Sequence, residues 1–195
     1  MRLMVFGGAF DPLHNGHVEI VDHLINRDDV DRLCLVPTGA PVFKQAMTFS
    51  AKQRMAMLQA VFGRTSGIDI SDYELKKKEP SFMIETLRFL FHQYSISICS
   101  LVVGYDQFLA FSRWHRFQDI LKSTRLLVIP RDGYAFKNQI IPDALQPYTH
   151  QIDFLDILPM GVSSTDIRSM LVDQVPINLL VPDKVLSIIQ SDEVK

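Results

Sequence analysis

The chain is 195 residues long; 47% of the residues are hydrophobic, 22% are charged, and the formal net charge at pH 7 is −2. These values are typical of one globular domain, here 1–195, and they exclude a strongly charged surface that would hold nucleic acid or an anionic membrane. No apolar run is long enough to span a bilayer, and the N-terminal run is too short for a signal peptide, so we expect a cytoplasmic protein without membrane or nucleic-acid partners.

Short apolar runs alternate with amphipathic patterns along the chain. The predicted strands are Leu3–Phe6, Arg32–Val36, Ile68–Ser71, Ile98–Val103, Leu126–Ile129 and Gln151–Leu155. Helices are predicted around Val18–Ile25, from the capping box at Ser50, from Pro80–Ser81, over Trp114–Leu121, from Ser163–Ser164, and after Pro182 to about Gln190. The polar, proline-containing stretch Pro130–Pro147 is predicted to be an irregular surface connection.

This alternation of strands and helices is typical of an α/β fold. We therefore predict a Rossmann-like, doubly wound parallel sheet with helices on both faces. Cys34 and Cys99 lie in predicted strands, which indicates buried thiols and not a disulfide.

The segment after the first predicted strand carries the strongest chemical signal. Gly7 and Gly8 let the backbone approach a ligand closely, and the N-terminus of the following helix suits a phosphate group. His14 and His17 are three residues apart, so both imidazoles share one face of the first turn and can donate to one anion. Gly16 between them is predicted to keep that face open. The pattern indicates a site for nucleotide phosphate.

Two other interpretations of this segment are weaker. Each histidine could be an ordinary solvated side chain and the glycine pair a plain turn, but the full combination with Asp11–Pro12 and a helix rarely arises without a function. A zinc site lacks further ligands, because the chain has no cysteine cluster.

Four further segments follow predicted strands or begin helices, and such positions meet at one edge of a doubly wound sheet. They are Pro37–Lys44, Gly104–Asp106, Trp114–Arg116 and Gly161–Arg168. In the last of these, three hydroxyl side chains crowd a helix N-terminus one turn before an arginine, which predicts a second phosphate contact. Taken singly, each segment can also be interpreted as ordinary structure without a ligand.

Motifs of several other enzyme classes are missing from the sequence. There is no P-loop motif, no Gly-x-Gly-x-x-Gly after the first predicted strand, and no Gly-x-Ser-x-Gly. These absences argue against a P-loop ATPase, a dinucleotide-dependent dehydrogenase and an α/β-hydrolase.

On these residues the chain resembles the bacterial nicotinate-nucleotide adenylyltransferases, members of the HxGH nucleotidyltransferase superfamily. The resemblance extends almost from end to end. The segments that carry it are Gly7–His17, Pro37–Lys44, Ser50–Leu58, Tyr73–Leu75, Pro80–Leu87, Gly104–Gln107, Trp114–Arg116, Pro130–Tyr134 and Val162–Arg168. The Pro80–Leu87 and Trp114–Arg116 segments indicate this branch of the superfamily.

The resemblance implies that the adenylyl group of ATP is transferred to nicotinate mononucleotide, which gives nicotinate adenine dinucleotide and pyrophosphate in NAD biosynthesis. The catalytic phosphate contacts that it implies are His14, His17, Lys44 and Arg168. The further ATP contacts that it implies are Gly7, Gly8, Phe10, Gly104, Asp106, Ser163, Ser164 and Thr165. The mononucleotide contacts that it implies are Met83, Thr86, Trp114, His115 and Arg131, with the indole stacked on the pyridine ring.

Five positions depart from the family pattern. They are Leu13 for a proline, Phe43 for a histidine, Glu79 for a glycine, Met83 for a threonine and Tyr105 for a small residue. The change at Met83 is tolerable if that position contacts the pyridine ring's carboxylate through its backbone amide.

The implied reaction needs alignment and charge stabilisation more than proton transfer. A phosphate oxygen of the mononucleotide is already ionised at neutral pH, so the histidines are expected to donate hydrogen bonds during an in-line displacement without a covalent intermediate. Mg²⁺ is expected to arrive with ATP, held by phosphate and water, with no protein ligand predicted. A homo-oligomer remains open.

Alternative functions are distinguishable. Trp114 and Pro80–Leu87 count against relatives that act on phosphopantetheine or polyol phosphates. Nicotinamide mononucleotide as the preferred acceptor, or a non-catalytic nucleotide-binding regulator of the same fold, stays open. The chain's length argues against a fragment of a class I aminoacyl-tRNA synthetase.

Overall fold

A computed structural model of the chain describes residues 1–39, 47–130, 140–157 and 161–191. Its strands are β1 (Arg2–Gly8), β2 (Arg32–Pro37), β3 (Ile68–Ile70), β4 (Ile98–Gly104), β5 (Arg125–Ile129) and β6 (Ile152–Phe154). All five strand pairings are parallel, in the order β3-β2-β1-β4-β5-β6. Strands β2 and β3 follow on one side of β1, and the chain then crosses over so that β4, β5 and β6 lie on the other side. The predicted doubly wound parallel sheet is confirmed, and its strand order switches between β1 and β4.

Seven α-helices lie in the described part of the chain. They are α1 (Asn15–Ile25), α2 (Ala51–Phe62), α3 (Met83–Gln93), α4 (Tyr105–Leu109), α5 (Phe117–Leu121), α6 (Ser164–Val172) and α7 (Asp183–Gln190). Two 3-10 helices cover Phe111–Arg113 and Asp143–Gln151. No helix among the described residues is long and apolar enough to cross a membrane.

The alternation of side chains along β1 divides the core into two layers. Met4 and Phe6 pack in one layer with helices α1, α2, α6 and α7, whereas Leu3 and Val5 pack in the other with α3, α4 and α5. Helices therefore cover both faces of the sheet, as predicted. Cys34 and Cys99 are buried free thiols, also as predicted.

Several element boundaries differ from the sequence prediction. The third helix begins at Met83 instead of Pro80–Ser81, with Phe82 as its cap. The predicted helix over Trp114–Leu121 is shorter, because Arg116 has a left-handed backbone with φ of 56° and α5 begins only after it. The five-residue helix α4 was not predicted.

The prediction for Pro130–Pro147 is wrong in its last part. Residues 131–139 lie outside the described part of the chain, but Asp143–Gln151 forms a 3-10 helix with Pro147 inside it. Leu145 in this helix is buried in the core. Burial of that side chain offsets the poor helix propensity of the stretch, which local composition alone does not reveal.

Candidate active site

The two histidines lie together at the start of α1, directly beyond the carboxyl end of β1. His14 is the N-cap residue of α1 and is buried, and His17 is in the first turn. Their rings stack with centroids 3.7 Å apart, and Nδ1 of His17 accepts a hydrogen bond from the backbone N–H of His14 at 3.3 Å. Because Nδ1 accepts, the proton of a neutral His17 ring lies on Nε2, which makes that nitrogen a donor.

Gly16 has a different structural role from the one that the sequence predicts. A Cβ on this residue would lie 3.1 Å from Nδ1 of His14, 3.1 Å from Cγ1 of Val162 and 3.2 Å from Cε1 of His14. The glycine is buried. It therefore does not keep a face open; it lets the His14 ring pack closely against the helix backbone.

Phe10 supports the histidine pair from the core side. Its backbone is left-handed, with φ of 48°, and its side chain is buried. The ring lies 5.0 Å from the His17 ring and 5.7 Å from the Phe6 ring, both edge-on. A Cβ on Gly8 would come within 3.1 Å of the Phe10 ring, so in this structure Gly8 makes room for Phe10.

The beginning of α6 lies against the segment Gly7–His17, the histidine loop. Ser163 is the N-cap of α6 and accepts from the backbone N–H of Asp166 at 3.1 Å. The hydroxyl of Ser164 donates to the backbone oxygen of Pro12 at 3.1 Å. The predicted hydroxyl cluster is therefore joined to the residues that lead into His14.

Arg168 makes a second connection between α6 and this loop. Its Nη1 donates to the backbone oxygen of Asp11 at 2.8 Å, and its Nη2 donates to the hydroxyl of Thr165 at 3.2 Å. The segment after β1 and the beginning of α6, which are far apart in the sequence, thus meet at one place on the sheet edge, as the sequence predicted.

Asp11 and Arg54 are buried charged residues at this edge that the sequence analysis did not select as site residues. The carboxylate of Asp11 accepts the backbone N–H groups of Thr48 (3.0 Å) and Phe49 (2.8 Å) and lies 3.9 Å from Nη1 of Arg168. It therefore joins the histidine loop both to α6 and to the residues that precede α2. A carboxylate that accepts two backbone N–H groups is held firmly in place.

Arg54 projects from α2 and, within the described part of the chain, donates to three backbone oxygens. It donates to Ala9 and Thr38 at 2.8 Å and to Phe49 at 3.3 Å. Burial lowers the pKa of this guanidinium, and the nearby charge of Asp11 opposes that shift. An arginine in the amphipathic pattern of α2, beside Met57 and Leu58, is the sequence signal that could have identified it.

The end of β4 carries the predicted adenosine contacts. Gly104 caps α4, and a Cβ on it would lie 2.9 Å from Oδ1 of Asp106, which is exposed. The absent Cβ therefore lets the carboxylate stand directly over the end of the strand. Tyr105, the departure between them, is buried, and its hydroxyl accepts from the backbone N–H of Ile140 at 2.8 Å.

The predicted mononucleotide contacts gather around the start of α3. A Cβ on Gly7 would lie 3.0 Å from Cε of Met83, so the methionine tip covers the glycine turn at the end of β1. Phe82 packs on the exposed His115 with ring centroids 4.4 Å apart. Trp114 is half-buried beside Phe111, at 4.9 Å between ring centroids.

Thr86 occupies a different environment from these residues. It is fully buried, and its hydroxyl donates to Oε1 of Glu74 at 2.6 Å. The Thr86 hydroxyl therefore has a buried carboxylate as its partner, and the contact of Thr86 with the mononucleotide stays a prediction.

Lys44, Arg131 and the departure at Phe43 lie outside the described residues. The residues that flank 40–46 are described, and both sides contact the histidine loop. The backbone N–H of Thr38 donates to Gly8 at 2.8 Å, and Thr48 donates to Asp11.

The side chains of this edge suit an anionic ligand. Imidazole, guanidinium and hydroxyl groups are donors to phosphate. Within the described ranges no group of three or more histidine, cysteine or acidic side chains is placed to hold a metal ion. The donor set fits the phosphates of a nucleotide better than it fits a bare cation.

Comparison with known proteins agrees with this geometry. A model of the cytidylyltransferase-like family matches residues 5–170. The chain belongs to this family.

Two curated members resemble it along nearly their whole lengths. A protein of Gemmatimonas aurantiaca named "Probable nicotinate-nucleotide adenylyltransferase" is 32% identical, and the alignment covers 98% of this chain and 90% of that protein. A protein of the same name from Acidithiobacillus ferrooxidans is 30% identical, and the alignment covers 97% of this chain and 94% of that protein. The solved nicotinic acid mononucleotide adenylyltransferase of Plasmodium falciparum, complexed with NaAD, superposes with a TM-score of 0.77 over 96% of this chain and 94% of its own, at 16% identity. That similarity shows that the two proteins share one fold.

Proposed function

We propose that this cytidylyltransferase-like protein transfers the adenylyl group of ATP to nicotinate mononucleotide, releasing pyrophosphate. One observation carries the proposal: the stacked pair His14–His17 and the cluster Ser164–Arg168 meet beyond the end of β1, where the strand order switches. Ligands of doubly wound sheets bind in the crevice at that point. The names of the curated relatives support the same reaction.

The triphosphate of ATP is proposed to lie across the histidine loop and the beginning of α6. Nε2 of His17 donates to a phosphate oxygen, and Arg168, oriented by Asp11 and Thr165, balances the charge of the leaving pyrophosphate. Lys44 is proposed to add a further cation. Mg²⁺ arriving with ATP neutralises part of the phosphate charge.

The adenosine is proposed to lie at the end of β4. Asp106 accepts a hydrogen bond from a ribose hydroxyl, and the missing Cβ of Gly104 leaves room for its carboxylate at this place. Ser163 and Thr165 contribute hydroxyl or backbone contacts at α6, and Phe10 contributes by supporting His17.

The mononucleotide is proposed to lie beside the first turn of α3. Its pyridine ring stacks on Trp114, and the ring's carboxylate accepts from backbone N–H groups near Met83 and His115. Arg131 is proposed near the same half. The Met83 side chain already covers Gly7, so the proposed contact is made through its backbone, which a methionine provides as well as a threonine.

The reaction itself is an in-line displacement. A phosphate oxygen of the mononucleotide attacks the α-phosphorus of ATP, the bond to the bridging oxygen breaks, and pyrophosphate leaves with that oxygen. The attacking oxygen is already ionised, so the protein aligns the two phosphates and stabilises charge without needing a base.

The test is a steady-state assay of the purified protein with ATP, Mg²⁺ and each of the two pyridine mononucleotides. We expect pyrophosphate and nicotinate adenine dinucleotide in equal amounts, and a higher kcat/KM for the acid. A higher kcat/KM for nicotinamide mononucleotide would assign the amide as the acceptor. Nucleotide binding without pyrophosphate release would contradict the proposal and favour a regulator.

A further inference from the structure

Three side chains of the short segment that follows β3 contact α3. Tyr73 stacks on Phe89, with ring centroids 4.3 Å apart. Lys77 pairs with Glu85 at 2.6 Å on the surface. Glu74, between them, accepts from the hydroxyl of Thr86 at 2.6 Å. This segment, residues 73–77, therefore docks α3 by two partly exposed contacts and one buried one.

The buried contact continues to the end of β2. Oε2 of Glu74 lies 3.4 Å from the backbone N–H of Gly39, which donates to it. A Cβ on Gly39 would stand only 2.3 Å from the backbone oxygen of Glu74, so the two residues are packed as closely as a glycine allows. Glu74 and Thr86 are 4% and 0% exposed. A carboxylate this deeply buried is retained only with close hydrogen-bond partners.

The first turn of α3 is the part that these contacts locate. Met83 lies one turn before Thr86, and its tip touches Gly7 at the centre of the sheet edge. Phe82, the cap of α3, packs on His115. A shift of α3 along its axis would therefore move the contacts proposed for the mononucleotide, whereas the histidine loop and α6 contact each other elsewhere.

We propose that Glu74 is a positioning residue for the acceptor: through Thr86 it fixes the first turn of α3, and through Gly39 it ties that turn to the end of β2. The proposal rests on the proposed function, because it concerns where the mononucleotide binds. It assigns Thr86 an indirect part in place of the direct contact that the family resemblance implies. Neither residue touches the reacting phosphates.

The connection between Glu74 and Thr86 can be tested by substitution. Thr86→Val replaces the hydroxyl with a methyl group of similar size. We expect the KM for nicotinate mononucleotide to rise about tenfold, as for loss of a hydrogen bond to a charged group, while the KM for ATP stays within about twofold. Thr86→Ser keeps the hydroxyl and should restore most of the affinity. Lys77→Met removes the exposed contact of the same segment with the same helix and is the matched control, with both KM values near those of the wild type.

A double-mutant cycle separates indirect from direct action. If Thr86 acts through Glu74, then Glu74→Ala with Thr86→Val raises the KM for the mononucleotide no more than Glu74→Ala alone. If Thr86 touches the mononucleotide itself, the two effects multiply, and the proposal is overturned. Should Glu74→Ala fold poorly, Glu74→Gln, which keeps the size of the side chain and removes its charge, takes its place in the same cycle.

Two further outcomes would also reject the proposal. One is a rise of both KM values together in Thr86→Val; the other is a fall in thermal stability with both KM values unchanged, which is the result of a purely structural contact. Failure of the proposed function is recognised separately, since the wild-type protein would then form no dinucleotide from ATP and nicotinate mononucleotide.

Discussion

Arg168 of α6 donates a hydrogen bond to the backbone oxygen of Asp11 at 2.8 Å, although 157 positions separate them in the sequence. The same arginine lies 3.9 Å from the buried Asp11 carboxylate, which in turn accepts from Thr48 and Phe49. Asp11 thus orients a cation toward the place where the leaving pyrophosphate is proposed to sit. An oriented guanidinium gives more stabilisation than one that must be ordered on binding.

Substitution of this arginine should reduce catalysis more than stability. We expect Arg168→Met to lower kcat/KM for ATP about 100-fold, because a preoriented donor to the phosphates is lost. Arg64→Gln, at an exposed arginine after α2, is the control and should behave as the wild type. Steady-state kinetics at saturating mononucleotide measures both. A decrease of less than about threefold would remove Arg168 from the phosphate site.

His17 is expected to act in the transition state. His17→Ala should lower kcat on the order of 10²–10³, the usual effect of removing a donor to developing negative charge, with a small change in the KM for ATP. His23→Ala, at the exposed last turn of the same helix, is the matched control. If single-turnover rates of the two variants agree, His17 is not a donor to the reacting phosphate.

Gly16→Ala should separate stability from activity. Alanine is the better helix former, but crowding by its Cβ opposes that gain, so the free energy of unfolding should change by less than about 1 kcal/mol. The new Cβ, however, would press on His14 and Val162 at 3.1 Å, and a displaced imidazole should lower kcat about tenfold. Adding Val162→Ala relieves one of these contacts and should recover part of the loss. Unchanged kcat in the single variant would show that the His14 position is not critical.

Arg54 is expected to hold the site together. Arg54→Met leaves the oxygens of Ala9, Thr38 and Phe49 without this donor, so the free energy of unfolding should fall by about 3 kcal/mol or more. Lys52→Met, on the exposed side of the same helix, should change it by less than about 0.5 kcal/mol. Urea unfolding followed by circular dichroism tests both values, and similar losses in the two variants would contradict the assignment.

Glu74 gives a pH-dependent prediction. Burial raises the pKa of this carboxyl above its ordinary value of 4.5, against smaller opposing effects from Thr86, Gly39 and Lys77. The folded state therefore binds this proton more tightly than the unfolded state. The contribution of Glu74 to the free energy of unfolding is full below about pH 4.5 and declines as the pH rises through the pKa of the folded state. The free energy of unfolding of the wild type minus that of Glu74→Gln should therefore decrease from about pH 4 to pH 7. An increase of this quantity with pH would mean that folding lowers the pKa of Glu74 instead.

The sequence was informative where a local pattern has one physical solution. Continuous apolar runs between amphipathic stretches predicted the six strands to within about two residues at each end. The spacing of His14 and His17 placed their rings together, because residues three apart in a helical turn are neighbours. The capping box at Ser50 follows from the same local logic, and α6 begins where Ser163–Ser164 predicts a helix start, with Ser163 as its cap.

The boundaries and partners that were missed depend on residues distant in the sequence. The start of α3 at Met83 and the 3-10 helix over Asp143–Gln151 follow from side chains that find buried positions on the sheet. Gly16 was expected to leave space and instead packs against His14. Thr86 was assigned to the ligand by resemblance, and only its distance to Glu74 revealed the buried carboxylate beside it.

By itself, then, the sequence determined the α/β class, the parallel sheet and the histidine-containing loop, since these follow from hydrophobic periodicity and short-range spacing. The tertiary structure alone decided how the parts are held in register: the contact of Arg168 with Asp11, the three backbone oxygens bound by Arg54, and the position of Glu74 between Gly39 and Thr86. Such contacts join segments whose separation along the chain carries no periodic signal. They form only when the sheet brings the carboxyl ends of its strands to one edge.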